Sequence, residues 1–147
     1  MLDTTDPRLD APPPYGDSIT LEDAKRALAA AEAKAAEHRW PVAIVIADVH
    51  GGLLAALKRD GTQHSAMGIA TGKAQTAVNF RRPTRMFQEG IAQGGEGLRF
   101  LAVPGVTPLE GGFPILLDGK VIGGIGVSGV LSTQDTEVAL AGLAALG

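Results

Sequence analysis

The residues of this chain best suited to moving a proton or gripping a ligand are three histidines, one lysine among alanines, and one glutamate beside a glycine pair. His64 stands just before Ser65, which opens an alanine-rich helical pattern. The free N–H groups of such a helix start favour an anion, and an imidazole beside them can serve as acid, base or metal ligand. His50 lies in the turn His50-Gly51-Gly52 after an apolar stretch ending near Asp48. Turn residues held by a rigid sheet often form sites, although an exposed turn histidine can equally be only solvated. His38 closes the first helical segment, where a positive charge complements the helix dipole, a structural role. Lys73 sits among alanines in the second helical pattern. Burial would lower its pKa and make it a base or a substrate anchor, whereas a snorkelling lysine would stay ordinary. Glu110 precedes Gly111-Gly112 and can face the same cleft, with a cap or ion pair as the plainer role. His64, His50, Lys73 and Glu110 are therefore the catalytic candidates. Arg59 and Arg82 can hold a carboxylate bidentately. With Thr84, Gly111 and Gly112 they form the candidate ligand-binding set.

Several classes of chemistry lack their residues. There is no cysteine, hence no disulfide, thiolate nucleophile, iron–sulfur cluster or Cys-ligated zinc. Three histidines without an i, i+4 pair make no zinc signature, but a haem iron needs only one. No serine occupies a G-x-S-x-G elbow. The net charge is −3 and the basic residues are scattered, the densest spot being Arg81, Arg82 and Arg85. Nucleic-acid binding, which needs convergent cations, is not expected. Residues 1–15 lack the apolar core of a signal peptide, and no apolar run reaches membrane-spanning length. The expectation is a cytoplasmic protein with no membrane partner.

These residues must be positioned by one small domain, since 147 residues leave no room for a second core. Only 4% of residues are aromatic, so the core must be built from small aliphatics. Residues 1–18, rich in proline and acidic side chains, read as an arm, either flexible or laid across a neighbouring subunit. Thr20 with Asp23 can cap a first helix whose apolar stripe is Leu21, Ala24, Leu28, Ala31 and Ala35, ending before Pro41. Residues 42–49 form a buried β-branched strand, and a tight turn returns the chain through residues 53–58 as an antiparallel partner. Ser65 is the expected cap of a second helix over 66–80, and Thr84 that of a short helix through Met86 and Phe87. Residues 93–111 read as a long loop with a short strand at 98–103. Asp118-Gly119 marks a type I′ hairpin between residues 113–117 and 120–127. Ser132-x-x-Asp135 reads as a capping box for a last helix to about Leu146. The order predicts an antiparallel sheet covered by helices. Gly124-x-Gly126-x-x-Gly129 matches a dinucleotide-binding pattern, but the chain ends 18 residues later, too soon for the second strand of a βαβ unit. Its glycines are expected instead to thin a strand where another backbone or a ligand approaches.

Taken together, AIVIADVHGGLLAALKRDG, SAMGIATGKAQTAVNFRRPT and PLEGGFPILLDGKVIGGIGVSG with STQD resemble the GlcG/HbpS family of haem-binding-like proteins. That family includes the C-terminal domain of PduO-type cobalamin-pathway proteins. The match spans about residues 18–147, giving an arm at 1–18 and a GlcG/HbpS-like domain at 19–147. The resemblance implies a mixed α/β (α+β) domain with a profilin-like fold, a five-stranded antiparallel sheet with helices on both faces. It also implies homo-oligomers and, in some members, haem held through a His or Thr. Some relatives carry Thr-His where this chain has Thr84-Arg85, which removes one axial ligand. His50 or His64 would then be the axial candidate.

Three functional readings follow. The first is a small-molecule-binding protein of the GlcG/HbpS type, with haem or another tetrapyrrole between the second helix, the loop over 104–112 and the Gly-rich strand. The second is a cofactor-independent isomerase, tautomerase or lyase acting on an anionic catabolic intermediate, with His64 or His50 moving the proton and Lys73 or Glu110 assisting. The third is a structural oligomer subunit without ligand.

Overall fold

The computed structural model describes residues 11–147. Helix α1 (Leu21–His38) starts where the Asp23 N–H donates to Thr20 Oγ1 at 3.2 Å. It stops at Arg39, whose left-handed backbone (φ 59°) turns its N–H back onto the last carbonyls. Ala24, Ala27, Ala31 and Ala35 form its buried stripe, while Leu21 faces out. Strands β1 (Ala43–Asp48) and β2 (Leu53–Lys58) form the first hairpin. Helices α2 (Ala66–Phe80) and α3 (Arg85–Ala92) follow, then a 3₁₀ segment over Gly95–Ala102. The second hairpin, β3 (Gly112–Leu117) and β4 (Lys120–Ser128), leads to α4 (Ser132–Ala144). Asp118 and Gly119 both take positive φ, as the Asp-Gly turn requires.

The sheet is antiparallel, in the order β2-β1-β4-β3, with helices on both faces. Ile44 and Ile46 of β1 pack with α1 and α4, together with Ile125, Val127, Val138 and Ala139. The alternate residues Ala43, Val45 and Ala47 pack against Ala66, Ala70, Ala74 and Val78 of α2. A central strand buried on both sides explains why β1 reads as an unbroken apolar run.

Helix α2 lies unusually near the sheet, and the glycines of β3 and β4 are the reason. A Cβ at Gly124 would stand 2.7 Å from the Ala74 carbonyl oxygen. One at Gly126 would run into the Ala70 carbonyl, and one at Gly112 would reach the Lys73 carbonyl at 2.6 Å. The Gly-x-Gly pattern of β4 therefore serves helix–sheet contact within this chain.

Several expectations need correction. Among the described residues the sheet has four strands, not five: of the stretch expected as a strand at 98–103, residues 98–102 are 3₁₀ helix and only Val103 is extended. Gly94 and Gly95 take positive φ and redirect the chain, and Phe100 then packs edge-on against Phe87 with centroids 5.1 Å apart. An extended strand would forfeit that contact. Ser65 and Thr84 precede their helices in helical backbone geometry and make no side-chain cap. The last helix is preceded by Leu131, whose N–H donates to Gln134 Oε1 at 3.2 Å, so Ser132 is already helical. Residues 1–10 of the expected arm lie outside the described residues, and within its described part residues 14–16 hydrogen-bond to β4 and to the end of α2. Among the described residues no helix is long and apolar enough to cross a membrane.

The glycine contacts separate two substitutions. Gly126→Ala should destabilise by about 1–3 kcal/mol, because backbone rather than a flexible side chain blocks the new methyl. Gly68→Ala, on the exposed side of α2 with nothing near the new Cβ, should stabilise by about 0.5–1 kcal/mol. Urea unfolding of both variants reads the two signs directly.

Candidate functional site

Helix α2 carries Lys73 over the end of β4, and α4 brings Asp135 to meet it. The Lys73 ammonium donates to the Val127 carbonyl at 2.7 Å and to Asp135 Oδ2 at 3.2 Å. Both side chains are almost wholly enclosed, 2% and 4% exposed. The other Asp135 oxygen accepts the Val130 N–H at 3.2 Å, which ties the β4–α4 turn to the pair. Gly111 covers the amine: its φ of 123° suits glycine, and a Cβ there would sit 2.9 Å from Nζ.

Glu110 is the third buried charge, 6% exposed. Its Oε2 accepts the Thr136 hydroxyl at 2.7 Å, its Oε1 lies 3.8 Å from Arg85 Nε, and its N–H donates to Gln88 Oε1 at 2.9 Å. Thr84 holds Gly112, two residues along. Its Oγ1 accepts the Gly112 N–H at 2.9 Å, and its own N–H donates to the Gly112 carbonyl at 3.0 Å. The Gly111 carbonyl in turn accepts the Val127 N–H at 3.0 Å. Residues 110–112 are thus clamped from α2, α3, β4 and α4 together.

Burial pushes the Lys73 amine below its usual range, against the attraction of Asp135 and, more weakly, Glu110. Burial likewise pushes the Asp135 carboxyl up, against Lys73 and the Val130 N–H, with Glu110 adding to the rise. The cause is common to both: enclosure removes the water that would stabilise either charge. Chemically the cluster is a buried amine–carboxylate pair able to hold a proton, with a second carboxylate at its edge.

The structure brings together Lys73, Glu110, Thr84, Gly111 and Gly112 of the candidate residues. It does not bring the histidines there. His50 is exposed in the β1–β2 turn, where its own N–H donates to Asp48 Oδ1, and His64 is exposed just ahead of α2. His38 stacks on Trp40, with ring centroids 4.2 Å apart. Arg59 donates to the Trp40 carbonyl at 3.0 Å, and half-buried Arg82 follows the end of α2. Among the described residues no group of three His, Cys, Asp or Glu side chains could hold a metal ion.

Asp135 and Thr136 escaped the sequence reading. The signal for Asp135 was the Ser132-x-x-Asp135 spacing, which suggested a cap; the carboxylate does take a backbone N–H near the helix start, and also pairs with Lys73.

Residues 19–144 match the family model described as haem degrading protein HbpS-like. The chain belongs to the HbpS-like family. This HbpS-like chain is 39% identical over 110 residues to the protein GlcG of Escherichia coli strain K12, covering 75% of itself and 81% of GlcG. It is also similar to solved structures. A double mutant of Streptomyces reticuli HbpS is 33% identical and matches 90% of each chain with a TM-score of 0.82. A structure described as a PduOC:heme complex is 27% identical and matches 87% of this chain and 94% of its own, with a TM-score of 0.79.

Removing one member of the buried pair strands the other. Lys73→Met and Asp135→Asn should each cost about 3–5 kcal/mol in chemical denaturation. The double variant Lys73→Met/Asp135→Leu should recover most of that loss. Additive losses would show that the two charges do not depend on each other.

Proposed function

We propose that this chain is a small-molecule-binding protein whose ligand is haem or a related tetrapyrrole. The observation that carries the reading is the likeness to the PduOC:heme complex over most of both chains. The family description and the similarity to HbpS support it. A haem iron takes a single axial protein ligand in many sites, so the absence of a three-residue metal cluster among the described residues does not oppose it. The donor chemistry fits. His38 is engaged with Trp40, Lys73 with Asp135, and Thr84 with Gly112, whereas His50 and His64 present exposed imidazoles. Either would supply the axial nitrogen, and bound haem would supply the iron chemistry that the side chains lack.

A profilin-like architecture, a cytoplasmic location and a homo-oligomeric state belong to the same proposal. Leu98, Leu101 and Leu131, all exposed, are apolar surface that assembly would cover. The rival proton-transfer enzyme loses support, since His50 and His64 stand apart from the Lys73–Glu110 cluster, where that mechanism would need them.

Titration of the purified protein with haemin, followed by Soret absorbance, tests the reading. Saturation at one haem per chain is expected, with affinity lowered at least about tenfold in either His50→Ala or His64→Ala. An unsaturable shift that is equal in all three proteins would sink it.

A further inference from the structure

From Gln93 to Leu109 no residue is buried, and Leu98 and Leu101 of the 3₁₀ portion face outward. The segment nevertheless lies over two fully enclosed side chains, Phe87 of α3 and Thr76 of α2. A long connection that buries others without being buried itself is the usual make-up of a lid.

Its attachments sit at two ends. At the first, Phe100 packs edge-on against Phe87, which packs in turn against Phe80 with centroids 5.0 Å apart. Three of the four phenylalanines therefore meet at this point. Gly97 lies against the Gly90 carbonyl of α3, where a Cβ would not fit. At the second end, the Thr76 hydroxyl donates to the Gly105 carbonyl at 3.2 Å and accepts the Thr107 N–H at 2.9 Å. Thr107 comes so near α2 because Gly72 faces it, and a Cβ there would run into Thr107 Oγ1.

Between these ends the backbone bonds are long. The Val103 N–H donates to the Phe100 carbonyl and the Val106 N–H to the Val103 carbonyl, both at 3.4 Å. Gly94 and Gly95 take positive φ, 70° and 56°, with nothing within reach of a Cβ at either, so the chain can swivel there. Beyond the segment the chain is fixed, since the Glu110 N–H donates to Gln88 and the Gly112 N–H to Thr84. Segments held by few buried contacts open at low free energy.

We infer that residues 95–107 are a lid that opens as one unit about Gly94-Gly95, uncovering the Phe87 ring and the Thr76 hydroxyl. Opening leaves the sheet and the Lys73–Asp135 pair intact. The lid rests on contacts within this chain and goes beyond the haem reading.

Amide hydrogen exchange of the full-length chain in low urea tests it. The Gly97, Val103, Val106 and Thr107 amides should share one opening free energy and one shallow urea dependence. The Val45 and Ile125 amides of the central strands should open only at higher free energy, with a steep dependence. Thr76→Val, which loses both hydrogen bonds, should speed Gly97 and Thr107 exchange together by at least about fivefold, the worth of one net hydrogen bond. Phe100→Ala, at the other end, should speed the Thr107 amide by roughly two- to tenfold. Faster exchange of Thr107 alone in Thr76→Val would overturn the lid, because its ends would then move independently. Exchange of all four amides at the free energy of Val45 and Ile125 would overturn it as well.

Discussion

Helix α2 lies so near the sheet that β3 and β4 can carry no side chain at three of the positions beneath it. At Gly112, Gly124 and Gly126 a Cβ would meet helix backbone. The near approach buries Ala66, Ala70, Ala74 and Val78 against β1 without large side chains, which suits a chain with few aromatics. It also lowers Lys73 to within reach of the Val127 carbonyl and of Asp135 on the helix after β4. Most of what distinguishes this structure follows from that spacing.

The buried charges have a cost that the surrounding groups offset. An enclosed ammonium is stabilised only when its partners are well placed, and here a carbonyl and a carboxylate meet it. Glu110 would add a second buried negative charge without compensation, but the Thr136 hydroxyl and the nearby Arg85 receive it. The result joins α2, α3, α4 and the entry to β3 at one point. The same contacts hold the 110–112 backbone in place.

The chain belongs to the HbpS-like family, and its polar groups fall into two sets. His50 and His64 sit in exposed connections, while the charge cluster is enclosed by packed elements.

Local physics is legible in the residues themselves. The β-branched run of β1, the Asp-Gly turn, the Thr20 cap and the limits of α2 each depend on neighbours in sequence, and all appear where the pattern places them. The family match is legible for the same reason, since it rests on contiguous segments. Tertiary contact decided the rest. Residues 98–102 became 3₁₀ helix because Phe100 packs on Phe87 across a glycine turn, which no local pattern records. Asp135 became the partner of Lys73, 62 residues away, because α2 and α4 converge on Val127 and Val130. Spacing along a chain can show which residues are able to do chemistry, but the packing of helices on the sheet selects those that meet.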